Sequence, residues 1–481
     1  KAFNRVDKSI KISVQTFADY QQAMNNYIAT DSMPDIVWCT GDYHAPYSST
    51  GHYEDLTPYF ERDGIDLSKY YKTSIDSARL TIDPKAENYN SVWFMPRDYN
   101  RLTIMYNKDI FDKGFEIDRV IKDITLKNGD FQFIPGETLI FFDEIQANER
   151  ALTALKYFYE DAPEYHVIAA GSLLGVAINR ENYSFPVGKV QMLNMYPLSF
   201  KEFLIAVGRE DLIEVIQKHF ENDERMDKTI HELCLKLYRT YLVVGGMPEV
   251  VETYLTEGKT ISAIDVQAEI LESYVRDMKK YADNSLSNRI ISAFDSIPVQ
   301  LAKDNPKFQY KVIAKGGTSS IFGEAIMWLK NSGIVNQVYK TTAELPLEMH
   351  KDLSSFKLYM SDVGLFVNKA RYPLYQVDLS QQPVMIAMGP LTENYVANEL
   401  RVKGYDLYYW ESDGKAELDF MIQKETDIMP IEVKTSVHTK ARSLDLYMKT
   451  YSPNYAVRIS EKNFGFENNI KSVPLYAVFC M

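Results

Sequence analysis

Read for its apolar and polar positions, the chain changes character several times. Residues 10–17, IKISVQTF, alternate like a half-buried strand; ADYQQAMNNYIA has helical spacing, and MPDIVW (33–38) gives a second strand. SVWFMPRDYNRLTIMYNKDIFDKG (91–114) gives strands around Pro96 and Arg97. In LIFFDEIQ (139–146), four consecutive apolar residues read as a parallel strand buried on both faces, and HVIAAGSLLGVA (166–177) opens with another. From about Ile261 the spacing turns helical in AEILESYVRDMKKYA (268–282), NRIISAFDSIPVQLA (288–302) and FGEAIMWLKNSGIVNQVYKT (322–341). A helix, a Gly-containing break and an apolar strand in the last of these suggest a winged-helix-like module, closed by FKLYMSDVGLFV (356–367).

Near the carboxyl end the period becomes two. In AELDFMI (416–422), Leu418, Phe420 and Ile422 fall on one face and Glu417, Asp419 and Met421 on the other. In PIEVKT (430–435), Ile431 and Val433 alternate with Glu432 and Lys434. Paired as a hairpin through QKETD, the two strands would collect Asp419, Glu432 and Lys434 on one polar face.

Composition narrows the class without naming a chemistry. With 481 residues and 46% hydrophobic content, the chain is large enough for about three domains with cores of their own. A net charge of −13 argues against a surface that is basic throughout, so any nucleic-acid contact must be local. Such a locality exists from Lys434 to Arg458, where Lys434, Lys440, Arg442, Lys449 and Arg458 meet one acid, Asp445. It suits a phosphate backbone, and equally a solvated helix face. Cys39, Cys234 and Cys480 are widely spaced and form no CxxC pair, which implies neither a disulfide framework nor a zinc site. No apolar run approaches the length of a membrane span, and the expected location is the cytoplasm.

Two constellations carry candidate chemistry. Asp143 and Glu144 leave the carboxyl end of a buried strand, where open α/β sheets place ligands. That is the Walker B position of P-loop ATPases, at which the Asp helps to hold Mg²⁺ and the Glu polarises water. Ser172, after the second strand, suits a residue facing a γ-phosphate. The phosphate loop itself is absent: the only GK[ST] triplet, Gly258-Lys259-Thr260, has Thr253 in place of the first Gly and sits between helices. It reads as a helix-terminating turn, and ATP binding is therefore expected to be lost. The second constellation, Asp419, Glu432 and Lys434, has the layout of a Mg²⁺-dependent phosphodiesterase, with carboxylates for a hard cation and an ammonium to orient water. Ordinary cross-strand ion pairing on a solvated face would use the same residues.

LIFFDEIQ, HVIAAGSLLGVA, FPVGKVQMLNMYPLSFKEFL (185–204) and LVVGGMPEVV (242–251), in this order, resemble a family of bacterial and archaeal AAA-type ATPases with a restriction-endonuclease-like C-terminal domain of unknown function. The resemblance runs from about Phe115 to the end. It implies ATP and Mg²⁺ as the family's ligands and DNA as a partner of the C-terminal part. Asp419 followed by Glu432-x-Lys434 resembles the PD-(D/E)xK motif, with Leu418 where the motif has Pro, and Glu393 in LTENYVANEL matches the additional helical acid. The resemblance thus makes Asp143, Glu393, Asp419 and Glu432 metal ligands, Glu144 and Lys434 catalytic, and Asp143 and Ser172 nucleotide-binding.

The front of the chain points elsewhere. DSMPDIVW, DLTPYFERDGIDLSKYY and WFMPRDYNRLTIMYNKDIFDKG resemble the first lobe of sugar-binding extracellular solute-binding proteins, with Trp38, Tyr43, Trp93 and Tyr99 as aromatic candidates. The alternative function is accordingly carbohydrate binding outside the cell. The expected organisation is an α/β chain in four parts: a solute-binding lobe fragment (1–114), an AAA-type core without its phosphate loop (115–260), a helical, winged-helix-like module (261–380) and a restriction-endonuclease-like α/β domain (381–481).

Overall fold

The computed structural model describes residues 24, 27–28, 30, 33–34, 53–67, 91, 111, 114–127, 133–171, 186, 188–303, 305–373, 388–412, 416–435 and 442–481. It divides into two compact units, Lys1–Thr103 and Ile104–Met481. In the first, a short helix spans Thr57–Arg62, its entry fixed by Asp55, which accepts from the Thr57 N–H at 2.9 Å. The expected aromatic surface of Trp38, Tyr43, Trp93 and Tyr99 lies outside the described residues, as do Ser172 and Lys440.

The second unit opens with a small α/β layer. Helix α1 (Ile117–Lys127), strand β1 (Leu139–Phe142), helix α2 (Glu149–Asp161) and strand β2 (His166–Ala169) share a core of Val120, Ile140, Phe142, Ala151 and Phe158. β1 and β2 pair in parallel, Phe142 beside Ala169. The expectation that β1 is buried on both faces is not met. Ile140 and Phe142 are buried, but Leu139 and Ile168 are 37% and 48% exposed, because α1 and α2 cover only one side.

A larger body follows. Helices α3 (Phe200–Ala206), α4 (Asp211–Asn222), α5 (Lys228–Val244), α6 (Pro248–Glu257), α7 (Thr260–Tyr281), α8 (Asn284–Leu301) and α9 (Ser319–Asn331) precede strands β3 (Val335–Lys340) and β4 (Asp352–Met360). Then come α10 (Val363–Lys369), α11 (Met388–Val402), β5 (Tyr408–Ser412), β6 (Ala416–Lys424), β7 (Asp427–Val433), α12 (Arg442–Tyr451), β8 (Ala456–Ser460), β9 (Gly465–Glu467) and β10 (Ile470–Pro474). One eight-stranded sheet runs β4-β3-β5-β6-β7-β8-β10-β9. The strands of the expected winged-helix-like module, β3 and β4, belong to this larger sheet, since β3 pairs in parallel with β5 through Tyr339 and Tyr408. A single hydrophobic cluster runs from Phe200 to Met481, with Tyr238 and Tyr241 of α5 packed edge-on against Tyr395 of α11. The core therefore passes through both expected boundaries, 260/261 and 380/381. Among the described residues no helix is long and apolar enough to cross a membrane.

The two glycines of LVVGGMPEVV have a packing explanation. Gly245 ends α5 at φ +74°, where a Cβ would lie 2.4 Å from Asp362 Oδ1, and a Cβ on Gly246 would lie 2.0 Å from the Leu198 carbonyl oxygen. That closeness lets the Gly246 N–H donate to buried Asp362 at 2.7 Å and the Leu198 N–H donate to the Gly246 carbonyl at 2.7 Å. The knot joins the segment before α3 to the ends of α5 and α10. Gly258 ends α6 at φ +67° with its N–H bonded to the Tyr254 carbonyl, so the Gly258-Lys259-Thr260 triplet is a helix stop.

Candidate functional site

The site begins on β4, whose carboxyl-terminal half is buried on both faces. Phe356, Leu358 and Met360 enter the core, while Lys357 and Tyr359 carry polar groups into the same interior at 0% exposure. An isolated ammonium there would be costly, so it must be paired. Lys357 pairs with Glu417 of β6 and lies 3.9 Å from Glu393 Oε2 on α11. Its Nζ also stands 5.0 Å from the centre of the Tyr409 ring. Burial alone would lower the Lys357 pKa, but the charges of Glu393 and Glu417 outweigh it and leave it raised.

Helix α11 is clamped to β4 by Asn394, whose side chain accepts from the Met360 N–H at 2.8 Å and donates to the Met360 carbonyl at 2.9 Å. One residue earlier, Glu393 Oε2 accepts from the Tyr359 hydroxyl at 2.9 Å. Glu393 is thus held by Tyr359 and faced by Lys357. Its pKa is raised, first by burial and then by the nearby Asp419 charge, against the opposing pull of Lys357.

β6 and β7 form the expected antiparallel hairpin, with Phe420 opposite Ile431 and Ile422 opposite Met429. Its alternation differs from the simple period of two. Between the pairs Tyr408–Met421 and Trp410–Leu418, β6 carries one residue more than β5, a bulge that falls at Asp419 and Phe420. Leu418 and Met421 consequently pack in one cluster with Trp410, while Phe420 and Ile422 pack in the main core. The expected common face for Leu418, Phe420 and Ile422 is corrected accordingly. Asp419, at the bulge, accepts from the Val433 N–H through Oδ2 at 2.6 Å.

Glu432 and Lys434 follow on the same strand end and form an ion pair. Glu432 is 3% exposed, and its Oε2 is buried with no hydrogen-bond partner among the described residues. Burial and the Asp419 charge raise its pKa, against Lys434. The Lys434 pKa is raised because Asp419 and Glu432 outweigh its own burial. Glu393, Asp419, Glu432 and Lys434 therefore act on one another electrostatically, joined by Glu417, which strand alternation places beside Asp419, and by Lys357 and Tyr359, which the sequence does not mark as site residues. The signal available was FKLYM, a lysine between apolar neighbours on a strand with no polar face.

The other constellation is separate and more open. Asp143 and Glu144 follow β1, and both are exposed. Glu144 adopts φ 50°, a left-handed turn that starts a 3₁₀ segment, and its Oε2 accepts from the Gln146 side chain. The Asp143 carboxylate accepts from the Glu144 N–H at 3.0 Å. Among the described residues no group of three or more His, Cys, Asp or Glu side chains is arranged to hold a metal ion. The set of Glu393, Asp419 and Glu432 thus falls short of a three-carboxylate cage. The physical reason is that Tyr359 and Lys357 already engage Glu393. Asp419 and Glu432 remain, with the free Glu432 Oε2, and two carboxylates suit Mg²⁺, which keeps most of its water.

Comparison with known proteins divides the chain in three. Residues 87–204 match the model of an AAA domain, residues 235–373 a domain of unknown function (DUF8612), and residues 388–478 another domain of unknown function (DUF4143). The AAA match begins inside the stretch whose wording resembles a solute-binding lobe. No curated protein matches the chain. Among solved structures, a Walker-type ATPase of Pyrococcus abyssi is 14% identical, with 53% of this chain and 67% of that one covered at a TM-score of 0.33. The chain therefore carries an AAA-type ATPase-like segment, followed by two domains of a kind whose function is not defined.

Proposed function

We propose that this AAA-type ATPase-family chain has its chemistry at the carboxyl-terminal cluster, as a Mg²⁺-dependent site for the phosphodiester backbone of DNA, and that its ATPase-like segment no longer holds nucleotide. The observation that carries the reading is the bond from Val433 N–H to Asp419, which draws the Glu432-x-Lys434 strand end onto the Asp419 bulge. Asp419 and Glu432 would hold the metal, the buried Glu432 Oε2 having no hydrogen-bond partner among the described residues. A bound divalent cation would supply Lewis-acid polarisation of a phosphoryl oxygen and a more acidic water. Lys434, at the same strand end, would orient that water, and Lys357 would keep Glu393 and Glu417 compensated.

Loss of nucleotide binding rests on the missing phosphate loop. Without its backbone N–H groups and Lys, Asp143 and Glu144 have no cradled phosphate to act on. Calorimetric titration of the full chain with Mn²⁺ or Mg²⁺, and separately with Mg-ATP, tests both halves. Metal binding lost in Asp419→Ala and Glu432→Ala, with nicking of DNA lost but metal kept in Lys434→Ala, is the expected result. Unchanged metal affinity in both acid variants would make these residues an ordinary ion-paired strand end. Micromolar Mg-ATP affinity abolished by Asp143→Ala would overturn the second half.

A further inference from the structure

A cleft of about 390 Å³ opens between α12, β8, and the β9–β10 hairpin. Lys449, Arg458 and Lys462 line it, together with Asp445, Glu467 and Ser472. Its position follows from the sheet. β7 and β8 pair in parallel with Glu432 beside Arg458, and β8 and β10 pair in parallel with Arg458 beside Ser472. Residues paired across a parallel ladder point the same way, and neighbouring strands lie about 4.8 Å apart. Arg458 is thus one strand away from the metal-binding candidate Glu432, on the same face. The cleft thus lies one strand over from the carboxylate–lysine cluster.

The charges in the cleft are uncommitted. No ion pair joins Lys449, Arg458 or Lys462 to a carboxylate among the described residues, although Asp445 and Glu467 line the same space. The Arg458 Nε is buried and has no hydrogen-bond partner among the described residues. A buried guanidinium nitrogen left unpaired costs free energy that an incoming anion would recover. Arginine is also the side chain whose planar fork fits a phosphate through two parallel bonds. The volume lies within the range of ligand clefts, enough for a nucleotide unit.

We propose that this cleft is a phosphate-binding subsite that anchors a DNA strand beside the carboxylate–lysine cluster, with Arg458 as its principal contact and Lys449 and Lys462 flanking it. The choice of DNA rests on the function proposed above. Arg458 is here a positioning residue, since it would hold a phosphate next to the one at Glu432 and Lys434.

The test measures anisotropy of a labelled DNA oligonucleotide with the full chain in EDTA, across a salt series, so that neither metal binding nor cleavage enters. Arg458→Gln should weaken binding about tenfold and lower the slope of log affinity against log salt by about 0.9, the loss of one phosphate contact. Lys449→Ala, an exposed helix substitution, should shift both in the same direction, and Arg458→Lys should restore part of the affinity. Asp419→Ala should retain the Arg458-dependent term, which separates this proposal from the metal reading. Wild-type affinity and slope in both Arg458→Gln and Lys449→Ala would overturn it, as would absence of DNA binding by the parent chain. Competition by inorganic phosphate or a deoxynucleoside monophosphate at the affinity of the oligonucleotide would also overturn it, in favour of a small-anion site.

Discussion

Val433 donates its main-chain N–H to Asp419 Oδ2 across 2.6 Å, and this bond closes the end of the β6–β7 hairpin over the bulge in β6. Asp419 thereby has two separable roles, as an acceptor that fixes the strand end and as a charge beside Glu393 and Glu432. Asp419→Asn keeps an acceptor oxygen and removes the charge; Asp419→Ala removes both. The alanine variant should lose roughly 1.5–3 kcal/mol of stability, the worth of a hydrogen bond to a charged group. The asparagine variant should lose less, yet both should lose metal affinity. Thermal melts with metal titrations on the two variants separate these roles, and equal destabilisation by both would deny the acceptor role.

Lys357 is the buried cation on which two carboxylates depend. Lys357→Met should destabilise the chain by roughly 3–5 kcal/mol, because Glu393 and Glu417 would be left without their counter-charge. Adding Glu417→Gln should return part of that loss, giving a coupling energy in a double-mutant cycle. Additive effects of the two changes would mean that the Lys357–Glu417 pair contributes nothing specific.

Gly246→Ala should be among the more damaging small changes in the helical part. Its Cβ would meet the Leu198 carbonyl oxygen at 2.0 Å, backbone that cannot turn away as a side chain can. A loss of roughly 1–3 kcal/mol is expected from overpacking, with Gly258→Ala as a contrasting case of strain without contact. An unchanged melting profile for Gly246→Ala would show that the Leu198 segment moves freely.

Glu399 predicts a pH dependence. Its Oε1 accepts from the Phe200 N–H at 2.7 Å, and burial pushes its pKa up to about 7 from an ordinary value of 4.5, with Glu202 adding repulsion and Lys403 opposing it. A carboxyl group whose folded pKa is raised contributes stability that is fully present below the unfolded value and is lost as pH rises through about 7. Glu399→Gln keeps an acceptor for Phe200 and never ionises. It should therefore match the parent only below the unfolded pKa of 4.5 and exceed it at pH 8, by at most roughly 3 kcal/mol. Equal stability of the two at pH 8 would mean that Glu399 is solvated in the native state.

The sequence alone determined local matters. The apolar run of β1, the hairpin of β6 and β7, the helix stop at Gly258 and the nearness of Asp419, Glu432 and Lys434 all follow from periods and spacings within a few residues, which backbone geometry converts directly into position. Tertiary structure decided what depends on distant partners. Nothing near β1 in sequence says that α1 and α2 cover only one of its faces and leave Leu139 and Ile168 exposed. Nothing in the segments of β3 and β4 says that β5, nearly 50 residues beyond the end of β4, pairs with β3 and takes both into a larger sheet. The same pairing brings Lys357 to Glu417 across a gap of 60 residues, so the cation that balances the site was invisible as part of it. The bulge at Asp419 shows the limit most locally. Alternation assigns each side chain to a face on the assumption of unbroken register, and register is set by the neighbouring strand.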